Sequence, residues 1–133
     1  YFKQRMNHYL AFLMVGLGGG LGAMSRHFTA LMINRFWHQS FPLATFSINI
    51  LGSFLIGILA AWLLPKMGND TLLKYLLITG FCGGYTTFST FSIENLQLLQ
   101  EGKIFTLALY VSSSIILGIT FALCGLFVGR AIS

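Results

Sequence analysis

Thr79-Gly80-Phe81-Cys82-Gly83-Gly84-Tyr85-Thr86-Thr87-Phe88-Ser89-Thr90-Phe91-Ser92 stands inside the third apolar window of the chain and is unexpectedly rich in hydroxyls and glycine. Seven of these fourteen residues are Thr, Ser or Tyr, and three are Gly. The surrounding window, residues 75–93, carries no Asp, Glu, Lys or Arg. A neutral segment of this length reads as a membrane span, because a helix needs about 20 apolar residues to cross a bilayer. Lipid at mid-membrane depth offers polar groups no partners, so the concentration of hydroxyls there needs a cause. One candidate is a continuous helix whose hydroxyls bond back to carbonyls four residues earlier. The other is a helix broken at Gly83-Gly84, where each Gly costs a helix roughly 1 kcal/mol relative to Ala. Irregular backbone at that depth survives only when protein buries it or when it lines a polar cavity, and such breaks hold ions in transporters. Residue types leave both readings open.

Outward from this stretch, three more charge-free windows appear at residues 6–25, 36–65 and 104–129; the four windows together hold 95 of the 133 residues. Charged residues make up 8% of the chain and hydrophobic residues 56%, against about 25% charged in an ordinary soluble domain. A soluble enzyme domain, a disordered chain and a nucleic-acid module are thereby excluded. Only helices and closed barrels satisfy their backbone in lipid, and these windows are too long for barrel strands. The expected fold is an all-α membrane protein, one domain over residues 1–133, with spans at about 9–33, 42–64, 71–97 and 104–132. Pro42 suits the first turn of the second span; Pro65 is expected to close it, and Asn69 or Asp70 to cap the third. Lys3 and Arg5 ahead of the first apolar run imitate a secretory signal, but three further spans favour a retained helix, with Met6 a plausible native start.

Four spans put both termini and the loop between spans two and three on one side. That side holds Lys3, Arg5, Lys66, Lys74 and Arg130, against Arg26, Arg35 and Lys103 on the other. Orientation follows a Lys/Arg excess, so this near balance suits insertion in both directions. The net charge of +5 sits at the ends of apolar windows as interfacial anchors. Gly16/Gly20, Ser53/Gly57 and Gly125/Gly129 follow the small-xxx-small spacing of closely packed membrane helices. Cys82 and Cys124 match no metal or redox spacing and read as free thiols. His8, His27 and His38 lie near the interfaces without ligand spacing.

Unwound carbonyls favour a bare cation such as Na⁺, whereas half-helix N-termini and hydroxyl donors favour an anion. No acid lies within any neutral window; Glu94, at the edge of the third, is the nearest. That argues against proton coupling and leans towards an anion. Asn49 is the one Asn deep in span two, as an interhelical contact or as an amide donor to an anion. Tyr110 and Ser114 are i, i+4 neighbours on span four, and Phe88 and Phe91 are i, i+3 neighbours on span three. Aromatic rings at such positions are usually core or lipid-facing, yet their positive edges can face an anion. Arg26 reads as a snorkelling anchor, or, if it faces the bundle, as a source of positive potential.

The run Gly80-Phe81-Cys82-Gly83-Gly84-Tyr85-Thr86-Thr87-Phe88-Ser89-Thr90-Phe91-Ser92-Ile93-Glu94 resembles the signature of the CrcB/Fluc fluoride channel family. Gly19-x-x-Gly22-Ala23-x-x-Arg26 resembles its first-helix motif, and Thr45-x-x-x-Asn49-x-x-Gly52-Ser53-Phe54 its second. The likeness covers essentially the whole chain. It departs at His27, where an aromatic is usual, at Ala44, where Gly is common, and at Gly118, where a hydroxyl is often found. The resemblance implies a passive fluoride-selective channel that exports fluoride across a bacterial cell membrane, built as an antiparallel, dual-topology homodimer. It further implies a structural Na⁺ at the dimer centre, held by the backbone carbonyls of Gly83 and Thr86. Asn49, Thr87, Phe88, Phe91, Tyr110, Ser114 and Arg26 would form the fluoride pathway.

The alternative is a small four-helix dual-topology exporter of another substrate, but the proton-coupled kind needs a membrane-embedded carboxylate that span one lacks. A purely structural subunit explains the glycines and leaves the hydroxyls of span three unexplained. An enzyme is not expected, since no His or acid lies mid-span to activate a Ser or Thr nucleophile.

Overall fold

The computed structural model describes residues 2–67 and 72–133, all of whose regular elements are helical. Helix α1 runs Phe2–Asn34 and α2 Leu43–Met67. The third helical region is made of pieces. Helix α3 (Leu72–Lys74) passes into a π-helical segment, Tyr75–Cys82, and then into α4 (Gly83–Tyr85). Two extended residues follow, then α5 (Phe88–Gln100); α6 (Ile104–Ile132) completes the chain. Among the described residues, three stretches are long and apolar enough to cross a membrane, His8–Asn34, Leu43–Pro65 and Ile104–Ile132. Sequence and structure together describe a multi-pass helical membrane protein.

Two expectations need correction. Pro65 does not close α2: it lies inside the helix, which continues to Met67. A Pro this close to a C-terminus removes one intrahelical bond and leaves the rest of the ladder intact. The proposed Asn69 or Asp70 cap falls outside the described residues.

The four helical regions pack as two principal pairs, α2 against α6 and α1 against the π-helical segment and α4. Glycine makes both contacts possible. A Cβ at Gly57 would collide with the Ala122 carbonyl, and one at Gly125 with the Phe54 carbonyl. On the other pair, a Cβ at Gly18 would strike the Leu76 carbonyl, one at Gly22 the Phe81 carbonyl and one at Gly84 the Gly19 backbone. Within the chain the spacing argument therefore holds for Gly57 and Gly125/Gly129, whereas the row of α1 that packs on the third helical region is Gly18/Gly22 and not Gly16/Gly20. Gly16 and Gly20 face open space, with no atom within 4 Å of a Cβ built there. Spacing alone cannot choose between the rows 16/20 and 18/22, because both satisfy i, i+4.

The interior is thin. Tyr110, Ile48 and Cys82 are the largest fully buried side chains, while Phe12, Phe88, Phe105, Ile119 and many other large apolar residues are exposed. An outer surface this apolar belongs against lipid or another chain rather than water. At one end, α5 turns into α6 through Gly102 at φ 74, a left-handed position that suits glycine after a helix. Lys103 secures this turn, pairing with Glu101 at 3.2 Å and donating to Ser40 Oγ at 2.8 Å.

Candidate ion pathway

The junction between α4 and α5 is made by Thr86 (φ −79, ψ 156) and Thr87 (φ −147, ψ 121), both extended. Gly83-Gly84, where the sequence suggested a break, is helical instead: Gly83 has φ −62 and ψ −38. The reason is physical. Gly84 is needed where α4 meets the Gly19 backbone, and a helix tolerates that residue at modest cost. Thr, being β-branched, is the residue type that favours extended backbone. Thr also caps helices well. The Thr87 hydroxyl accepts the Thr90 N–H at 3.2 Å and starts α5.

Extended residues within a helical region strand their own backbone groups, and Asn49 on α2 takes up those of Thr87. Its Oδ1 accepts the Thr87 N–H at 2.8 Å, and its Nδ2 donates to the Thr87 carbonyl at 3.1 Å. In a continuous helix that N–H would go to the carbonyl of Gly83. Gly83 itself is exposed and open on its Cβ side. Gly52, one turn beyond Asn49, leaves room for Thr86, whose methyl a Cβ there would strike. Helix α1 holds the other side of the junction. Arg26 Nε donates to the Gly84 carbonyl at 3.1 Å, placing a cation at the C-terminal end of α4. The Thr29 and Tyr85 hydroxyls share a hydrogen bond at 3.0 Å.

A cleft of about 490 Å³ opens at the junction, lined by Asn49, Ser53, Gly83, Thr86, Thr87 and Phe88 among others. A larger one of about 620 Å³ lies where α1 and α2 meet the third helical region, lined by Ser25, Phe28, Thr29, Phe54, Phe81 and Tyr85 among others. Of the polar residues singled out in the sequence, Asn49, Thr86 and Thr87 meet at the smaller cleft, while Arg26, Tyr110 and Ser114 do not line it.

From there a chain of rings leads inward. Phe88, 78% exposed, lies 5.8 Å from Phe91 between centroids, and Phe91 lies 4.9 Å from Tyr110, which is 0% exposed. Phe41 meets Tyr110 edge-on at 5.3 Å. Neither a simple core role nor a simple lipid-facing one describes the two phenylalanines: Phe91 packs on the buried tyrosine and Phe88 leads out to the surface.

Glu94 is the residue that sequence reasoning passed over. Its carboxylate accepts the Tyr110 O–H at 2.9 Å and the Thr45 O–H at 3.0 Å. The Tyr110 hydroxyl is therefore held by a carboxylate rather than left free along a row with Ser114. The Ser114 Oγ, one turn along α6, is buried with no hydrogen-bond partner. A signal for Glu94 existed: a lone acid at the edge of a neutral window, with few polar side chains on the other spans to partner it. Asn49, Thr86, Thr87, Gly83 and Phe88 are thus brought to one cleft, Phe91 links it to Tyr110, and Ser114 lies further along α6. Arg26 stands on the opposite side of the junction, holding Gly84.

Fold and site define a small multi-pass helical membrane protein whose third helical region is interrupted by extended residues held by side chains from two other helices. A family model described as CrcB-like protein, Camphor Resistance (CrcB), matches residues 13–126, and the chain belongs to that family. Among its relatives is a protein of Flavobacterium psychrophilum named fluoride-specific ion channel FluC. It is 47% identical over 116 residues, which is 87% of this chain and 94% of that one. A protein of the same name from Ruminiclostridium cellulolyticum is 41% identical over 128 residues, 96% of this chain and 95% of the relative. Another, from Azobacteroides pseudotrichonymphae, is 47% identical over 112 residues, 84% of this chain and 90% of the relative.

Proposed function

We infer that the chain is a fluoride-specific ion channel and not an enzyme, a reading supported by its family and by relatives so named across nearly its whole length. The observation that carries it is the ring sequence Phe88–Phe91–Tyr110 starting at the Thr86–Thr87 junction. It offers an anion positive ring edges without a fixed cation along the row to trap it. Fluoride is small and strongly hydrated, so a pore must replace its lost water with close donors. The start of α5 presents such donors together with the positive end of the helix dipole, and the Thr87 hydroxyl, which donates to Thr90 Oγ1 at 3.2 Å, would join them by turning. Further in, an anion competes with Glu94 for the Tyr110 hydroxyl, so passage requires that hydrogen bond to open. Fluoride then moves passively down its gradient, out of the cell.

The assembly we propose is an antiparallel homodimer of four-span subunits inserted in both orientations in a bacterial cell membrane. It is favoured by the near-equal basic residues on the two sides and by the thin interior with its exposed apolar surface. A Na⁺ at the dimer centre fits the residues present. Backbone carbonyl oxygens are hard ligands suited to such a cation; the Gly83 carbonyl is released from its helical donor when Asn49 takes the Thr87 N–H, and Thr86 is extended beside it. When bound, the ion would supply fixed positive charge that steadies the junction.

The deciding experiment is efflux from proteoliposomes read by a fluoride electrode, with chloride as the control anion. Fluoride-selective flux is expected. Equal chloride flux, or none of either, would overturn the reading; transport of an organic cation in place of fluoride would favour the small-exporter alternative.

A further inference from the structure

Tyr110, Ser114 and Gly118 lie at successive i+4 positions on one face of α6. On that face the Tyr110 hydroxyl is taken up by Glu94, the Ser114 Oγ is buried and unpartnered, and Gly118 has no side chain. The space over Gly118 is bordered from α2. A Cβ built at Gly118 meets one atom within 4 Å, the Ser53 hydroxyl oxygen, at 3.8 Å. Ser53 also lines the junction cleft together with Asn49, Thr86, Thr87 and Phe88.

Resting on the fluoride reading above, we propose that Ser53 supplies across the helix pair the hydroxyl that α6 lacks at Gly118, and so carries the donor row from Ser114 into the junction cleft. The Ser53 hydroxyl donates to the Asn49 carbonyl at 2.8 Å. That carbonyl is also the ordinary helical acceptor for the Ser53 N–H, four residues on. Turning the hydroxyl towards an anion therefore exchanges one hydrogen bond for another and strands no backbone group. Helices α2 and α6 are close enough for this because Gly57 and Gly125 let their backbones meet one to two turns away. Ser53 is a positioning and donor residue in a place where the facing helix offers none.

The test is a rescue. Ser53→Ala is expected to lower fluoride efflux from proteoliposomes about tenfold, the effect of one lost hydrogen bond on a barrier, with elution and melting temperature unchanged. Adding Gly118→Ser, whose Cβ has ordinary van der Waals room, returns a hydroxyl from the other helix and is expected to recover most of that loss. Gly118→Ser alone keeps efflux near the wild-type rate. Unchanged efflux in Ser53→Ala, a double variant no better than Ser53→Ala, or a block by Gly118→Ser alone would each overturn the proposal. A wild-type protein without fluoride-selective flux would instead remove the channel reading itself.

Discussion

The Asn49 side chain and the Thr87 backbone form a closed two-way pair, Oδ1 accepting the Thr87 N–H at 2.8 Å and Nδ2 donating to the Thr87 carbonyl at 3.1 Å. Asn is the residue type whose side-chain amide reproduces both halves of a backbone amide. Asn49→Ala abandons both groups, at roughly 1–3 kcal/mol for each one left buried without a partner. The melting temperature in detergent should fall and fluoride efflux should be lost. Asn49→Asp keeps the acceptor and loses the donor, so its melting temperature should lie between alanine and wild type.

Phe88 and Phe91 sit on the same ring sequence but differ in burial, which separates their two contributions. Phe88→Ile should reduce fluoride efflux to background with little change in stability, because the ring is 78% exposed. Phe91→Ile should also remove efflux and in addition lower the melting temperature, since it withdraws a ring 4.9 Å from Tyr110. Dimer elution should persist in both. Full efflux in both variants would sink the aromatic path.

Glu94 holds two donors, so its charge and their hydroxyls are coupled. Tyr110→Phe or Thr45→Val should each destabilise by about 1.5–3 kcal/mol, the usual loss for a hydrogen bond to a charged group. In a Glu94→Gln background the same substitutions should cost less, because a neutral amide is cheaper to leave underpaired. A double-mutant cycle read by thermal melting checks the coupling.

The glycine register on α1 can be tested directly. Gly22→Ala should destabilise by about 1–3 kcal/mol or more through backbone collision at Phe81. Gly16→Ala should leave stability unchanged or raise it by up to about 1 kcal/mol, as expected for open helical positions. Melting temperatures that fall equally in both would show that Gly16 also lies against a neighbour, as a second subunit would provide.

If Na⁺ is held at the junction carbonyls, replacing it by choline during purification should lower the melting temperature, and restoring Na⁺ should reverse the change by mass action. Identical melting curves in the two salts would remove the ion from the proposal.

How far the chain could be read differs from residue to residue. The spans of α1, α2 and α6 follow from where charge is missing, and the last helix runs Ile104–Ile132. The third region was legible as unusual, yet glycine pointed to Gly83-Gly84 while the extended residues are Thr86 and Thr87. Local propensity gave glycine the greater helix penalty, but close packing on Gly19 and capture by Asn49 outweighed it. Glu94 was visible as the acid nearest a neutral window, and its two hydroxyl partners were not.

Composition and the placement of charge are enough to make this a helical membrane protein, to locate its apolar segments and to mark the stretch that is polar enough to matter. Those properties are set by transfer from water to lipid, which acts on each segment locally. The tertiary structure decided which glycine row on α1 is buried, which threonines leave the helix, and that Arg26, Asn49 and Glu94 each answer to a distant partner. These choices turn on backbone groups and hydroxyls finding partners up to 58 residues away along the chain, and no periodicity encodes such a meeting.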